Sequence, residues 1–126
     1  MILDGKTGNP IADKSFEFAV RIYSLAKQVK NHGKEYDLSR QLLRAGTSIG
    51  ANIAEAVKAQ SKADFVSKMA IALKEANETH YWLRLLYRIG LISADEHNSF
   101  CKEVNELISM LNAIGKTANP VRSTSC

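Results

Sequence analysis

A chain of 126 residues, 45% of them hydrophobic, has the length of one domain and enough apolar material for a single packed core. It contains no apolar run of about eighteen residues, the minimum for a membrane span, and Met1-Ile2-Leu3-Asp4-Gly5-Lys6 lacks the apolar stretch of a secretory signal. A cytoplasmic protein with no membrane partner is therefore expected. Its net charge of +4 and pI near 9.1 favour an acidic partner such as nucleic acid.

Taken in chain order, the periodic segments predict helices throughout, because no stretch shows the period-two alternation of a strand. Residues 1–12 are read as a mobile N-terminal segment. Helix one is expected from Asp13, as N-cap, to His32, with Gly33 as the left-handed residue that ends it. It carries two apolar stripes, Phe16-Ala19-Tyr23-Ala26 and Phe18-Ile22-Leu25-Val29.

Helix two is expected to begin at Asp37 and to end near Gln60, with Leu38, Leu42, Ala45, Ile49, Ile53 and Ala56 at helical spacing. Ser61 caps helix three, the longest element, of roughly 28 residues and on the order of 42 Å; Gly90 stops it. Ser93 and Glu96 form a capping box for helix four, whose Phe100, Val104, Leu107, Ile108, Leu111 and Ile114 face inward before Gly115. Residues 116–126 read as a disordered tail. Connections this short make neighbouring helices antiparallel, so the fold expected over residues 13–115 is an all-α, up-down-up-down four-helix bundle.

Charge is distributed unevenly along this bundle. Arg21, Lys27, Lys30, Arg40, Arg44, Lys58, Lys62 and Lys68 place cations on the first three helices, whereas Asp95, Glu96, Glu103 and Glu106 make the fourth acidic. A two-sided molecule follows, with those lysines and arginines as candidate contacts to nucleic-acid phosphates. Arg40 and Arg44 have a second reading, in which they join Asn52, Glu55, Glu75 and Glu78 in a polar network between helices two and three.

Small residues at Gly46, Gly50 and Ala54 recur about one turn apart and allow a close backbone approach, either at an oligomer interface or as a tolerated bend. Helix three has a second apolar stripe, Ile71, Trp82, Leu85 and Ile89, off the face of Phe65, Met69, Ala72, Ala76, Leu83 and Leu86. Such surplus surface marks a homo-oligomer interface, unless a central helix merely touches two neighbours of its own chain. Trp82 with Tyr81, Tyr87 and Arg84 could stack on exposed bases, although packing is the commoner use of such aromatics.

Catalytic and metal constellations are absent from the sequence. Glu78 and His80 are two residues apart and point to different faces, unlike the Glu-x-x-His pairs of di-iron bundles; no phosphate-binding glycine loop, nucleophile elbow or Cys-x-x-Cys pair occurs. Cys101 suits a small core position, and Cys126 ends the polar tail. No enzyme activity, cofactor or metal is expected.

The run from Arg44 to Ala56, Arg-Ala-Gly-Thr-Ser-Ile-Gly-Ala-Asn-Ile-Ala-Glu-Ala, resembles the four-helix-bundle family associated with intervening sequences of 23S ribosomal RNA. The likeness continues through Asp64-Phe65, Ile71-Ala72, Lys74-Glu75-Ala76-Asn77-Glu78-Thr79 and Tyr81-Trp82-Leu83, over residues 13–115. Gly50 stands where the family often has proline and Ala56 where it often has glycine. The resemblance implies a ring-like homo-oligomer, commonly a pentamer, without known catalysis. Similar bundles are nucleic-acid-binding accessory proteins of the reverse transcriptases of diversity-generating retroelements. Two functions stand side by side: a homo-oligomeric module that binds RNA or DNA through its basic face, and a scaffold that binds another protein.

Overall fold

The computed structural model describes residues 6–118, which form helices α1 (Pro10–His32), α2 (Tyr36–Val57), α3 (Lys62–Arg88) and α4 (Ala94–Ala118). Residues linked across each seam run in opposite chain directions. Ser15 lies beside Gly50 and Ala26 beside Ser39; Arg44 reaches Glu75 and Glu78 while Glu55 reaches Lys68; Lys14 meets Glu106 while Gln28 meets Glu96. Neighbours in sequence are thus antiparallel neighbours in space, and α4 closes the bundle against α1. Phe18, Ile22, Leu42, Ile49, Ile53, Leu83, Leu86, Val104, Leu107 and Leu111 are sealed inside.

Helix ends differ from the expected ones for local reasons. The first helix starts at Pro10, not Asp13, because Asn9 caps it through the Ala12 amide and proline suits the first helical position. Asp13 instead accepts from the amides of Thr7 and Gly8 and from the Thr7 hydroxyl, tying down the approach to the helix, and Ile11 joins the core. Glu35 rather than Asp37 caps α2 by accepting from the Leu38 amide. That helix stops at Val57, short of Gln60, while α4 runs past Gly115. The reading of residues 119–126 as a tail, with Cys126, lies outside the described residues.

Gly33 is not the left-handed residue: its φ is −83°, and Lys34 takes the positive φ of 56°. Glycine is required at position 33 for space, since a Cβ there would stand 2.8 Å from the Val29 carbonyl oxygen and 3.0 Å from Leu91 Cδ2. Gly90, by contrast, has a φ of 84° and ends α3 in a Schellman motif, its amide donating to Tyr87 and that of Leu91 to Leu86. The expected capping box opens α4: the Ser93 amide donates to Glu96 and the Glu96 amide to the Ser93 hydroxyl.

The α1–α2 seam is narrow because it is lined with small groups. Gly46 faces Ile22 and Gly50 faces the Ser15 backbone, while the buried Ser39 hydroxyl donates to the Ala26 carbonyl at 2.7 Å. Gly46 and Gly50 therefore meet a helix of their own chain, correcting their expected place at an oligomer interface. Ala54, one turn on, has turned out to solvent, so the three do not share one contact.

A Cβ added at Gly46 would lie 2.7 Å from Ile22 Cγ2 and 3.2 Å from its Cβ, an overlap that a stiff β-branched side chain on a helix cannot swing away from. Overpacking of this kind costs about 1–3 kcal/mol, against about 1 kcal/mol gained in helix propensity. We expect Gly46→Ala to lose up to about 2 kcal/mol in urea denaturation. In a double-mutant cycle, much of that loss should vanish in an Ile22→Ala background; strict additivity would refute the contact.

Candidate nucleic-acid interface

Every candidate cation was assigned from sequence, where charge type is visible and ion pairing is not. Arg44 is committed within the chain: it crosses from α2 to α3, donating to Glu75 at 3.2 Å and to Glu78. Trp82 Nε1 donates to the same Glu78 carboxylate at 3.3 Å, one turn along α3. The Arg44 hydrogen bond holds the Glu78 carboxyl below its ordinary value, outweighing the burial that opposes ionisation, and Trp82 adds to it. In return the Arg44 guanidinium is held above its usual value, first by the hydrogen bond to Glu78.

Only half of the expected polar network belongs here. Asn52 donates to the Ser48 carbonyl of its own helix at 2.8 Å, and Glu55 pairs with Lys68 at 3.3 Å. These residues lie eight and eleven positions beyond Arg44, roughly 12 and 16 Å along α2, so the antiparallel α3 offers them its N-terminal turns and not Glu75 or Glu78.

Arg21, Arg40 and Lys68, expected as phosphate contacts, are likewise paired within the chain. Arg21 pairs with Glu103, donates to Ser99 at 3.1 Å and lies 4.1 Å from the Phe100 ring centroid, which makes it part of the α1–α4 seam. Arg40 pairs with Asp37 at 2.7 Å on the surface. Because Lys14 also takes Glu106, two carboxylates of α4 are neutralised by α1, and the basic-against-acidic division seen in the sequence is reduced.

Lys27, Lys30, Lys58 and Lys62 remain exposed and make no ion pair among the described residues. Lys27 and Lys30 line a shallow groove of about 200 Å³ with Tyr23, Asn31, Ser39 and Leu43. At the opposite end, Lys58 shares its groove with Glu55, Asp64 and the already paired Lys68. The first end is the more cationic. It also holds Lys34, Arg84 and Arg88, all exposed and outside any ion pair among the described residues, because Leu91 of the α3–α4 connection packs against Gly33 of the α1–α2 connection. Arg88 escaped sequence reasoning, since only the antiparallel return of the chain carries it to the end occupied by Lys27 and Lys30.

The surplus apolar surface also falls elsewhere than expected. On α3, Ile71 and Ile89 are exposed, but Trp82 is half-buried against the core and Leu85 is half-buried beside α4. Glu75 and Glu78, facing Arg44, interrupt the stripe. On α1, Phe16, Val20 and Tyr23 are each about half exposed, at 49%, 51% and 55%, and their spacing places them on one side of the helix. The signal for Phe16 and Tyr23 was the Phe16-Ala19-Tyr23-Ala26 stripe, of which Ala26 alone is buried, in the α1–α2 seam; Val20 belonged to neither stripe.

Among the described residues no group of three or more His, Cys, Asp or Glu side chains could hold a metal ion, and no helix is long and apolar enough to cross a membrane. Cys101 is buried. The architecture is that of a four-helix bundle, with ion pairs of Lys14, Arg21, Arg44 and Lys68 joining helix to helix. The family model for the 23S rRNA-intervening sequence protein matches residues 8–113, and the chain belongs to that family. It is similar to a crystal structure of a protein of unknown function from the S23 ribosomal protein family of Bacteroides thetaiotaomicron VPI-5482, with 53% identity and a TM-score of 0.81 over 82% of this chain and 96% of that one. No functionally curated protein matches the chain.

Since the folded Glu78 carboxyl titrates below its ordinary value of 4.5, its ionisation stabilises the fold above that value, and the contribution is lost as pH falls through the folded value. Glu78→Gln should therefore cost up to about 1 kcal/mol at neutral pH and progressively less in acid as pH falls below the ordinary value of 4.5, as measured by urea denaturation. An equal cost at both would show that the Arg44 pair does not stabilise the fold.

Proposed function

We propose that this protein is a non-catalytic, self-associating bundle that binds nucleic acid, with RNA as its first ligand. The observation that carries the reading is the gathering of Lys27, Lys30 and Lys34 at one end of the bundle without carboxylate partners, after Arg21, Arg40, Arg44 and Lys68 have found theirs within the chain. Unpaired surface cations clustered at one end suit a phosphate backbone, whose condensed counterions they displace. Membership in a family described by the 23S rRNA intervening sequence is consistent with an RNA ligand.

Self-association is supported by Phe16, Val20 and Tyr23, which a closed monomer leaves in water although its core is already complete. A second copy of the chain, covering this α1 face, would place several basic ends in one assembly and multiply weak phosphate contacts through avidity. A cytoplasmic protein of this kind needs no cofactor.

Two measurements test the proposal. Fluorescence anisotropy with a structured RNA fragment should give an affinity that falls steeply with salt. Lys27→Gln with Lys30→Gln should then lower the slope of log affinity against log salt by about two, near one for each lost phosphate contact. An affinity indifferent to salt would reject nucleic acid and favour the protein-scaffold alternative. Separately, Val20→Asp should reduce the mass seen by light scattering while leaving the helical circular dichroism unchanged. A wild-type chain that is monomeric at every concentration would exclude self-association.

A further inference from the structure

At the junction of α3 and α4 lies an open pocket of about 420 Å³ lined by Tyr81, Arg84, Leu85, Tyr87, Arg88 and His97. Its composition is unusual for this surface, where elsewhere arginines meet carboxylates. No carboxylate lines it, and neither Arg84 nor Arg88 makes an ion pair among the described residues. Tyr87 and His97 stack across the two helices with ring centroids 4.6 Å apart and planes 20° from parallel. Tyr81 stands on the other side, held edge-to-face against Trp82 at 5.1 Å. The helices set these groups firmly: Tyr87 lies inside the Schellman turn that Gly90 closes, and His97 in the first turn fixed by the Ser93–Glu96 box.

We infer that this pocket binds one unpaired nucleotide of a single-stranded RNA or DNA, its base stacked on the tyrosines and its phosphate held by Arg84 and Arg88. The inference rests on the nucleic-acid reading above and specifies a site within it. An inorganic anion would use the guanidiniums and leave the rings idle, and an apolar ligand would do the reverse. A base linked to a phosphate uses both, and the volume lies within the roughly 300–1,000 Å³ of small-ligand sites. Bases inside a duplex are stacked on one another and cannot lie on protein rings, so the site selects a base that is already splayed out. His80, the residue before Tyr81, is pushed below its ordinary value first by burial and then by the positive charge of Arg84.

The pocket shares an end of the bundle with Lys27, Lys30 and Lys34, but it lies on the α3–α4 side and the lysine groove on the α1–α2 side. Duplex binding, resting on the lysines alone, should be independent of the pocket, and this separates the two claims experimentally.

The test is an anisotropy titration of the full chain with a labelled single-stranded oligonucleotide and with a blunt duplex of equal length, for the wild type, for Arg84→Gln with Arg88→Gln, and for Tyr87→Ala. All these side chains are exposed, and thermal melting checks that the variants fold. Each variant should lose about ten-fold or more in single-strand affinity and less than two-fold for the duplex, as expected for removing a base stack or its phosphate clamp. Photocrosslinking of an oligonucleotide carrying one 4-thiouridine should label the peptide that holds Tyr87 or Tyr81. Competition by adenosine 5′-monophosphate but not by inorganic phosphate would support a nucleotide site, and equal competition by the two would reduce it to an anion patch. Unchanged single-strand binding in the variants overturns the site while leaving the lysine reading intact; a wild type that binds neither strand form overturns both. Displacement by polyglutamate as effective as by RNA would assign the pocket to an acidic protein and refute the nucleotide.

Discussion

The close approach of α1 and α2 is the constraint on which the remaining surfaces depend. Two glycines without Cβ atoms let Ile22 and the Ser15 backbone settle against α2, and the Ser39 hydroxyl satisfies an α1 carbonyl inside the seam. Glycine within a helix costs roughly 1 kcal/mol relative to alanine, a cost offset by the dispersion contacts of two backbones packed closely. With α1 drawn toward α2, its approach to α4 is the least intimate of the adjacent pairs. That wider seam is filled by the Phe18–Phe100 contact and spanned at its rim by long side chains: Lys14 to Glu106, Arg21 to Glu103, and Gln28 to Glu96.

Long cations thus serve two kinds of seam in this bundle. Arg21 covers Phe100 with its guanidinium while reaching Glu103, and Arg44 bridges α2 to two carboxylates one turn apart on α3. Surface pairs of this sort add little stability each, about 0–1 kcal/mol, but they set which faces meet and in what register. Their larger consequence is for function. Each cation held by a carboxylate is less available to any other anion; of the exposed ones outside any ion pair among the described residues, Lys27, Lys30, Lys34, Arg84 and Arg88 lie at the end that holds the α1–α2 and α3–α4 connections, and Lys58 and Lys62 at the other.

That end combines rigidity with uncompensated charge. A Schellman turn and a capping box hold the α3–α4 connection, and Leu91 from it packs against Gly33 of the α1–α2 connection. Aromatic rings and guanidiniums there are carried by helices and not by loose loops, which keeps their relative positions fixed before any ligand arrives. The opposite end is more balanced, since Lys58 and Lys68 share their groove with Glu55 and Asp64.

Much of this was determined by the sequence alone. Apolar residues recurring at three and four positions, Ser61 before α3, the Ser93–Glu96 pair and Gly90 each report a local preference, and such preferences decide helix number, the caps at these positions and, through short connections, antiparallel order. The family likeness was legible too, in the run from Arg44 to Ala56. Only the tertiary structure decided what each side chain meets. Periodicity shows that Gly46 and Gly50 need a close neighbour but not whether it is α1 or another molecule, and composition counts Arg21 and Arg44 as positive without revealing Glu103, Glu75 and Glu78 across the seams. Tyr81, Arg84 and Tyr87 were legible as a group on one helix, but the pocket they form with Arg88 and His97 was not: it joins the end of one helix to the start of the next, and such proximity is fixed by packing and not by the order of residues along the chain.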